Sequence, residues 1–304
     1  MKPLRGQLIV QINQRLKRGD RTGLIIDAHQ HFWNIENVSY PWLRPEHGAI
    51  HRTFSPTDLE PQLRAAGVDG TVLVQAANSF EDTRAMLEQS NRHSWIKAVV
   101  GWIPLTEPAI AARAIEVFAA HSKFKGVRHL IHDEPDIDYL LKPEVLESLR
   151  LVADLGLTFD VVSVLPRHLE HVSSIATHLP HLKIVIDHLA KPPILEGSWE
   201  PWATLLYRAS AHPNVYAKVS GLNTASNWET WSAGDLERYV SHALECFGAH
   251  RLMFGSDWPV AVLAGGYSKV WYETNLVLER VSASERAQIL GGTASAFYGL
   301  EPSA

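Results

Sequence analysis

Eight short apolar runs recur along the chain with a regular beat, and this beat limits the fold more than anything else in the sequence. They are LIIDA (24–28), TVLVQA (71–76), KAVVGWI (97–103), FKGVRHLI (124–131), LTFDVVSV (157–164), LKIVIDHL (182–189), VYAKVSGL (215–222) and RLMFGSD (251–257). Runs this short and this rich in Val, Ile and Leu suit parallel strands buried on both faces. Between them lie stretches with apolar residues three and four apart: 55–67, 107–121, 142–156, 167–180 and 235–248. The first opens on Ser55 and closes on Gly67, as a capped helix does. Strand alternating with helix predicts βαβ units, and eight of them predict a single-domain α/β fold, a TIM-like (β/α)8 barrel. An open doubly wound sheet would call for a Gly-rich phosphate turn after its first strand. That position reads HQHFWN, without glycine.

Composition supports one large core. With 304 residues, 46% hydrophobic and 20% charged, the chain can hide about 75% of its unfolded surface without disulfide or metal staples. A net charge of −5 with scattered Lys and Arg is no nucleic-acid footprint. No apolar run approaches the length of a membrane span. The single cysteine, Cys246, excludes an internal disulfide and points to reduced, cytoplasmic surroundings, with a packing role in its helix. Residues 1–22 carry six basic residues and one acidic, and read as an extension ahead of a barrel domain at 23–304.

In a parallel barrel the chemistry collects at the carboxyl ends of the strands. The first run ends His29-Gln30-His31, and strand alternation sends both imidazoles to one side. Such a pair can grip one metal ion or one substrate oxygen. The sixth ends Asp187-His188, which brings His188 to the barrel mouth and leaves Asp187 facing away as a structural residue. The eighth ends in Asp257. A carboxylate closing an apolar strand is costly unless paired, so Asp257 is expected beside imidazoles or a metal, as a general base or a ligand. Arg128, Asp160, Lys218 and Ser220 lie on strands 4, 5 and 7 and could meet substrate. Trp33, Tyr40, Trp42, Trp102 and Trp258 follow or end strands, where an aromatic can wall a pocket and stack on a sugar ring.

Taken in order, His29-x-His31, GVRHLIHDEPD (126–136), DHLAKPP (187–193) and FGSDWPV (254–260) resemble the amidohydrolase superfamily. Within it they resemble the branch of sugar lactonases and 2-pyrone-4,6-dicarboxylate hydrolases, from about Leu24 to the closing GGTASAFYGL. The resemblance implies hydrolysis of a lactone or related bond. His29 and His31 match the strand 1 pair, His188 the strand 6 histidine, Asp257 the acid–base carboxylate and Arg128 a substrate-holding cation. Dinuclear relatives carry a bridging Lys or Glu on strand 4 and a histidine on strand 5. Strand 4 here offers Arg128, His129 and His132, and LTFDVVSV has no histidine, which speaks against two metals. One divalent ion held by His29, His31, Asp257 and His188 suits zinc in ligand type and number, and a metal-free mechanism is the alternative. The expected substrate is a small-molecule aldonolactone, because Asp160 with Arg128 and Lys218 suggests a pocket of mixed sign. The rivals are a hydrolase of an anionic lactone, a metal-dependent decarboxylase, and a non-catalytic ligand-binding barrel.

Overall fold

The computed structural model describes residues 23–300, so the basic extension at 1–22 lies outside the described residues. Its eight strands are β1 Ile26–Gln30, β2 Gly70–Val74, β3 Ile96–Gly101, β4 Phe124–His129, β5 Thr158–Val161, β6 Lys183–Ile186, β7 Val215–Val219 and β8 Leu252–Phe254. Each begins within two residues of the start of an apolar run, and the sheet takes them in chain order, every pair parallel. The seam between β8 and β1 is closed just beyond β8. Gln30 and Trp258 form a parallel bridge, Asp257 N–H donates to His29 O at 2.8 Å, and His31 N–H donates to Trp258 O at 2.7 Å. The result is a TIM-type barrel.

Eight helices follow the eight strands: α1 Pro56–Ala66, α2 Phe80–Arg92, α3 Pro108–Ala119, α4 Pro143–Asp154, α5 Pro166–His178, α6 Trp202–Ser210, α7 Ala233–Phe247 and α8 Gly266–Val277. Four begin with proline, whose missing N–H costs nothing in a first turn. Asp58 accepts from Ser55 N–H at 2.9 Å, and Gly67 ends α1 at φ 71°. No helix among the described residues is long and apolar enough to cross a membrane. Cys246 sits half-buried on α7, 3.5 Å from His242.

The core has two parts. The larger packs helices on the outer face of the barrel, with Leu59, Ile115, Leu149, Val172, Leu206 and Val240 among its buried side chains. The smaller fills the barrel, where Ile26, Ala28, Val72, Val74, Ala98, Val100, Val185 and Met253 meet Phe297 and Tyr298. These two aromatics come from a final helix, Thr293–Tyr298, which stops the end of the barrel away from the site. Tyr298 donates from its hydroxyl to Asp160 Oδ2 at 2.8 Å, and the other oxygen of that carboxylate has no hydrogen bond. Tyr298→Phe therefore takes away one of the few donors of a fully buried carboxylate. We expect it to cost about 1–3 kcal/mol, read as a lower denaturant midpoint at unchanged m-value; an unchanged midpoint would show that Asp160 does not depend on this bond.

Candidate active site

The strands stop short of the chemistry, and irregular backbone just past their ends aims it. In β1 the register against β2 shifts between Asp27 and Gln30. Ala28 packs in the barrel interior while its neighbour His29 reaches the site, so both His29 and His31 arrive there. Asp27 anchors this kink: its Oδ1 accepts from His29 N–H at 3.2 Å and from Ser256 N–H at 2.8 Å, tying β1 to the segment after β8. Burial pushes the Asp27 carboxyl up to about 6.

After β6 the chain enters a run of four left-handed residues, His188, Leu189, Ala190 and Lys191, at φ 49–60°. Each costs roughly 1–2 kcal/mol in a residue with a side chain, and such strain gathers where a side chain must be aimed. The turn breaks strand alternation. Alternation from Val185, inside the barrel, brings Asp187 inward rather than facing away, where it accepts from Arg128 Nη1 at 3.1 Å and lies 3.2 Å from His29 Nδ1 and 3.1 Å from Lys218 Nζ; His188 departs from alternation, and its left-handed backbone turns it to the same side. Asp257 is itself left-handed at φ 55°.

Four side chains converge. His29 Nε2 and His31 Nε2 stand 3.1 Å apart; Asp257 Oδ1 lies 3.5 Å from His31 Nε2, 3.8 Å from His29 Nε2 and 3.8 Å from His188 Nε2. His29, His188 and Asp257 also offer ligand atoms that all lie within 4.8 Å of one another. A tetrahedral ion with bonds of about 2.0–2.1 Å has ligand atoms roughly 3.3–3.4 Å apart, so the separations fit a single ion. The chemistry of the donors also fits at His31, whose Nδ1 donates to Val74 O at 2.7 Å and leaves the Nε2 lone pair facing the centre. His188 Nδ1 is held by Ser220 Oγ at 2.9 Å.

Electrostatics prepare a base. Burial pushes His188 down to about 4 and His29 well below the usual imidazole range, so both rings are neutral. Burial would raise Asp257, but His188, His31, Lys191 and His29 around it hold its carboxyl far below the ordinary carboxylate range. The carboxylate is thus ionised at every physiological pH, beside the neutral His29 and His188 rings.

A cavity open to solvent sits over this cluster. Its polar lining is His31, Arg128, His132, His188, Lys191 and Asp257, and its apolar wall includes Trp42, Leu130, Val162, Val164 and Val260. Of the aromatics expected there, Trp42 lines it, with its indole N–H on Ala76 O at 2.7 Å. Trp33 and Trp258, each 1% exposed, instead pack edge-on against Phe54 in the core. Tyr40 donates to Asp82, and Trp102 to His129 Nδ1 at 3.0 Å, away from the cavity wall. Asp160 and Lys218 are fully buried below the cavity and bond each other at 2.6 Å, so they do not line it. The mixed sign read from them belongs to a buried network, not to the pocket wall.

Sequence reasoning passed over three contributors. Lys191 lines the cavity and bonds Thr224 Oγ1 at 3.2 Å, and burial lowers its ammonium. Gly221 and Gly255 leave room that a methyl would fill. A Cβ at 221 would lie 2.6 Å from His188 Nδ1 and 2.8 Å from Asp257 Oδ2, and one at 255 would lie 2.6 Å from His29 Cβ. The glycines inside the runs VYAKVSGL and RLMFGSD, just past the ends of β7 and β8, were the only trace of this in the sequence.

A (β/α)8 barrel with paired histidines at the end of β1, a histidine after β6 and an aspartate after β8 is the arrangement of a hydrolase, and the chain belongs to the amidohydrolase family: the model described as Amidohydrolase matches residues 26–300. Among individual proteins, it is 40% identical over 285 residues to an L-fucono-1,5-lactonase of Burkholderia ambifaria, spanning 91% of this chain and 96% of that one. It is 35% identical over 293 residues to an L-fucono-1,5-lactonase of Burkholderia multivorans, again spanning 91% and 96%. A crystal structure of an amidohydrolase from Burkholderia multivorans with bound zinc superposes with a TM-score of 0.85 at 32% identity, covering 92% of this chain and 100% of that one.

Proposed function

We propose that this chain is a lactone hydrolase that opens an aldonolactone to the aldonic acid, with residues 23–304 acting as one catalytic domain. The observation that carries this reading is the convergence of His29, His31 and His188 on an ionised Asp257 at the floor of an open cavity. The likeness to two L-fucono-1,5-lactonases supports the choice of substrate class.

The reaction follows from the groups present. Water adds to the lactone carbonyl and gives its proton to Asp257. The tetrahedral carbon carries an oxyanion within reach of His29, His188 and the Arg128 guanidinium, whose positive charge and N–H groups stabilise it. The bond from that carbon to the ring oxygen then breaks, and Asp257 returns the proton to the departing oxygen. The product is an open-chain hydroxy acid. His29, His31, His188 and Asp257 would hold a single divalent ion, zinc by ligand type, which when bound supplies Lewis-acid polarisation of the carbonyl.

Charge favours a neutral substrate. Arg128 is matched by Asp187 at 3.1 Å, and Lys191 faces the Asp257 charge, so the cavity has no surplus of cations for two carboxylates. A hydrolase of a dicarboxylate lactone is the second reading, because Arg128 and Lys191 do both line the cavity. Acid release measured with a pH indicator separates them. We expect aldonolactones, L-fucono-1,5-lactone among them, to turn over faster than 2-pyrone-4,6-dicarboxylate, and a parallel assay after chelation reads the dependence on metal. The reverse preference would promote the second reading. No acid from any lactone would leave a ligand-binding barrel.

A further inference from the structure

Lys191 lines the cavity, yet none of the steps above uses it. The other cation of the lining, Arg128, is bonded to the Asp187 carboxylate at 3.1 Å. The Lys191 ammonium has no such bond among the described residues. Its hydrogen bond goes to Thr224 Oγ1 at 3.2 Å, a neutral acceptor, while Asp257 and Asp187 act on it only through space.

The side chain is aimed rather than left to solvent. The Lys191 backbone is left-handed at φ 51° and is followed by Pro192, a combination that local sterics oppose on both counts. Its N–H donates to His188 O at 2.9 Å and closes the turn. Thr224 donates its hydroxyl hydrogen to Gly221 O at 3.0 Å, so what it offers the ammonium is a lone pair. One of the three ammonium hydrogens is thereby stationed, and two remain for whatever enters the cavity.

Charge decides what that is. A hydroxyl would leave a partly desolvated ammonium uncompensated, whereas an anion meets both its charge and its N–H groups. The aldonolactone enters uncharged. As Asp257 takes the proton of the attacking water, negative charge passes from Asp257 to the acyl oxygen. Once the ring has opened, the new carboxylic acid loses its proton to solvent and becomes a carboxylate. A single unpaired ammonium suits that single carboxylate.

We propose that Lys191 is a further catalytic residue: its ammonium, stationed by Thr224, takes up the negative charge that forms on the acyl oxygens and holds the carboxylate of the ring-opened aldonate. This rests on the lactonase reading given above.

The test is binding of product beside turnover. L-Fuconate, the aldonate of L-fucono-1,5-lactone, and L-fucose, an uncharged sugar ring, are titrated by calorimetry into wild type, Lys191→Met and Thr224→Val at matched zinc content. Loss of a hydrogen bond to a charged group is expected to weaken L-fuconate by about 10–100-fold in Lys191→Met, with L-fucose unchanged and kcat on the lactone lowered. Thr224→Val keeps the charge but removes the oxygen that stations it, so a smaller loss for L-fuconate alone is expected there. Should Lys191→Met not fold, Thr224→Val carries the test by itself. Unchanged L-fuconate affinity in either folded variant, or an equal loss for L-fucose, overturns the proposal. A wild-type protein that opens the lactone but does not bind L-fuconate sinks this proposal alone, whereas no acid from any lactone sinks the lactonase reading and the role of Lys191 with it.

Discussion

Asp257→Asn is expected to lower lactone turnover by about 10²–10⁴-fold, the usual loss when a positioned general base is removed, while the protein stays folded. The amide keeps the shape and can still accept a hydrogen bond, but it cannot take the proton of the attacking water. The two other buried carboxylates near it, Asp160 and Asp187, are already engaged. Asp160 is bonded to Lys218 and Tyr298 below the cavity, and Asp187 is held by Arg128 and Lys218. The measurement is kcat and KM on an aldonolactone beside circular dichroism, with the loss expected in kcat. Wild-type turnover in a folded Asp257→Asn protein would reduce Asp257 to a cap for the segment after β8 and send the search for the base elsewhere.

Gly221→Ala is expected to cost about 100-fold in kcat/KM, though residue 221 carries no chemistry. Its backbone is left-handed at φ 58°, and the new methyl would arrive 2.6 Å from His188 Nδ1 and 2.8 Å from Asp257 Oδ2. The ring and the carboxylate must move apart, and a displacement of about 1 Å in a reacting group can cost 10²-fold. The left-handed alanine itself adds roughly 1–2 kcal/mol of strain, so a lower melting temperature should accompany the loss. Ser220→Ala separates two effects at the same place: it removes the bond to His188 Nδ1 without adding bulk. A smaller loss in Ser220→Ala than in Gly221→Ala is the expected order. Normal turnover in Gly221→Ala would mean that His188 and Asp257 are free to shift without penalty.

The strand beat was legible because burial on both faces leaves a local mark, a run of Val, Ile and Leu that needs no knowledge of neighbours. The ends of the strands were less so. The runs at 182–189 and 251–257 read on through His188 and Asp257, whereas β6 stops at Ile186 and β8 at Phe254. Apolar character continues past a strand wherever the following turn is also buried, so hydrophobicity alone cannot place the last hydrogen-bonded residue. His188 shows the consequence: alternation from Val185 would turn it outward, and its left-handed backbone turns it to the site. Period-two alternation is a rule for extended backbone, and it fails at the first left-handed residue.

The sequence by itself determined the barrel, the order of its parts and the types of side chain at its mouth: two histidines, a third and an aspartate, each at the end of an apolar run. Composition and periodicity are properties of single segments, and these conclusions are of that kind. Which cations and carboxylates face the cavity was decided only by tertiary structure. Asp160 on β5 and Lys218 on β7 are 58 positions apart in the chain and meet inside the barrel across β6, and their mutual neutralisation holds both below the pocket wall. The neighbours of His29 are chosen at still longer range, from Lys218 on β7, Arg128 on β4 and Asp187 after β6. The partners of an imidazole have no signature in its own residue, because they are whichever donors and acceptors the closed barrel brings to the two ring nitrogens.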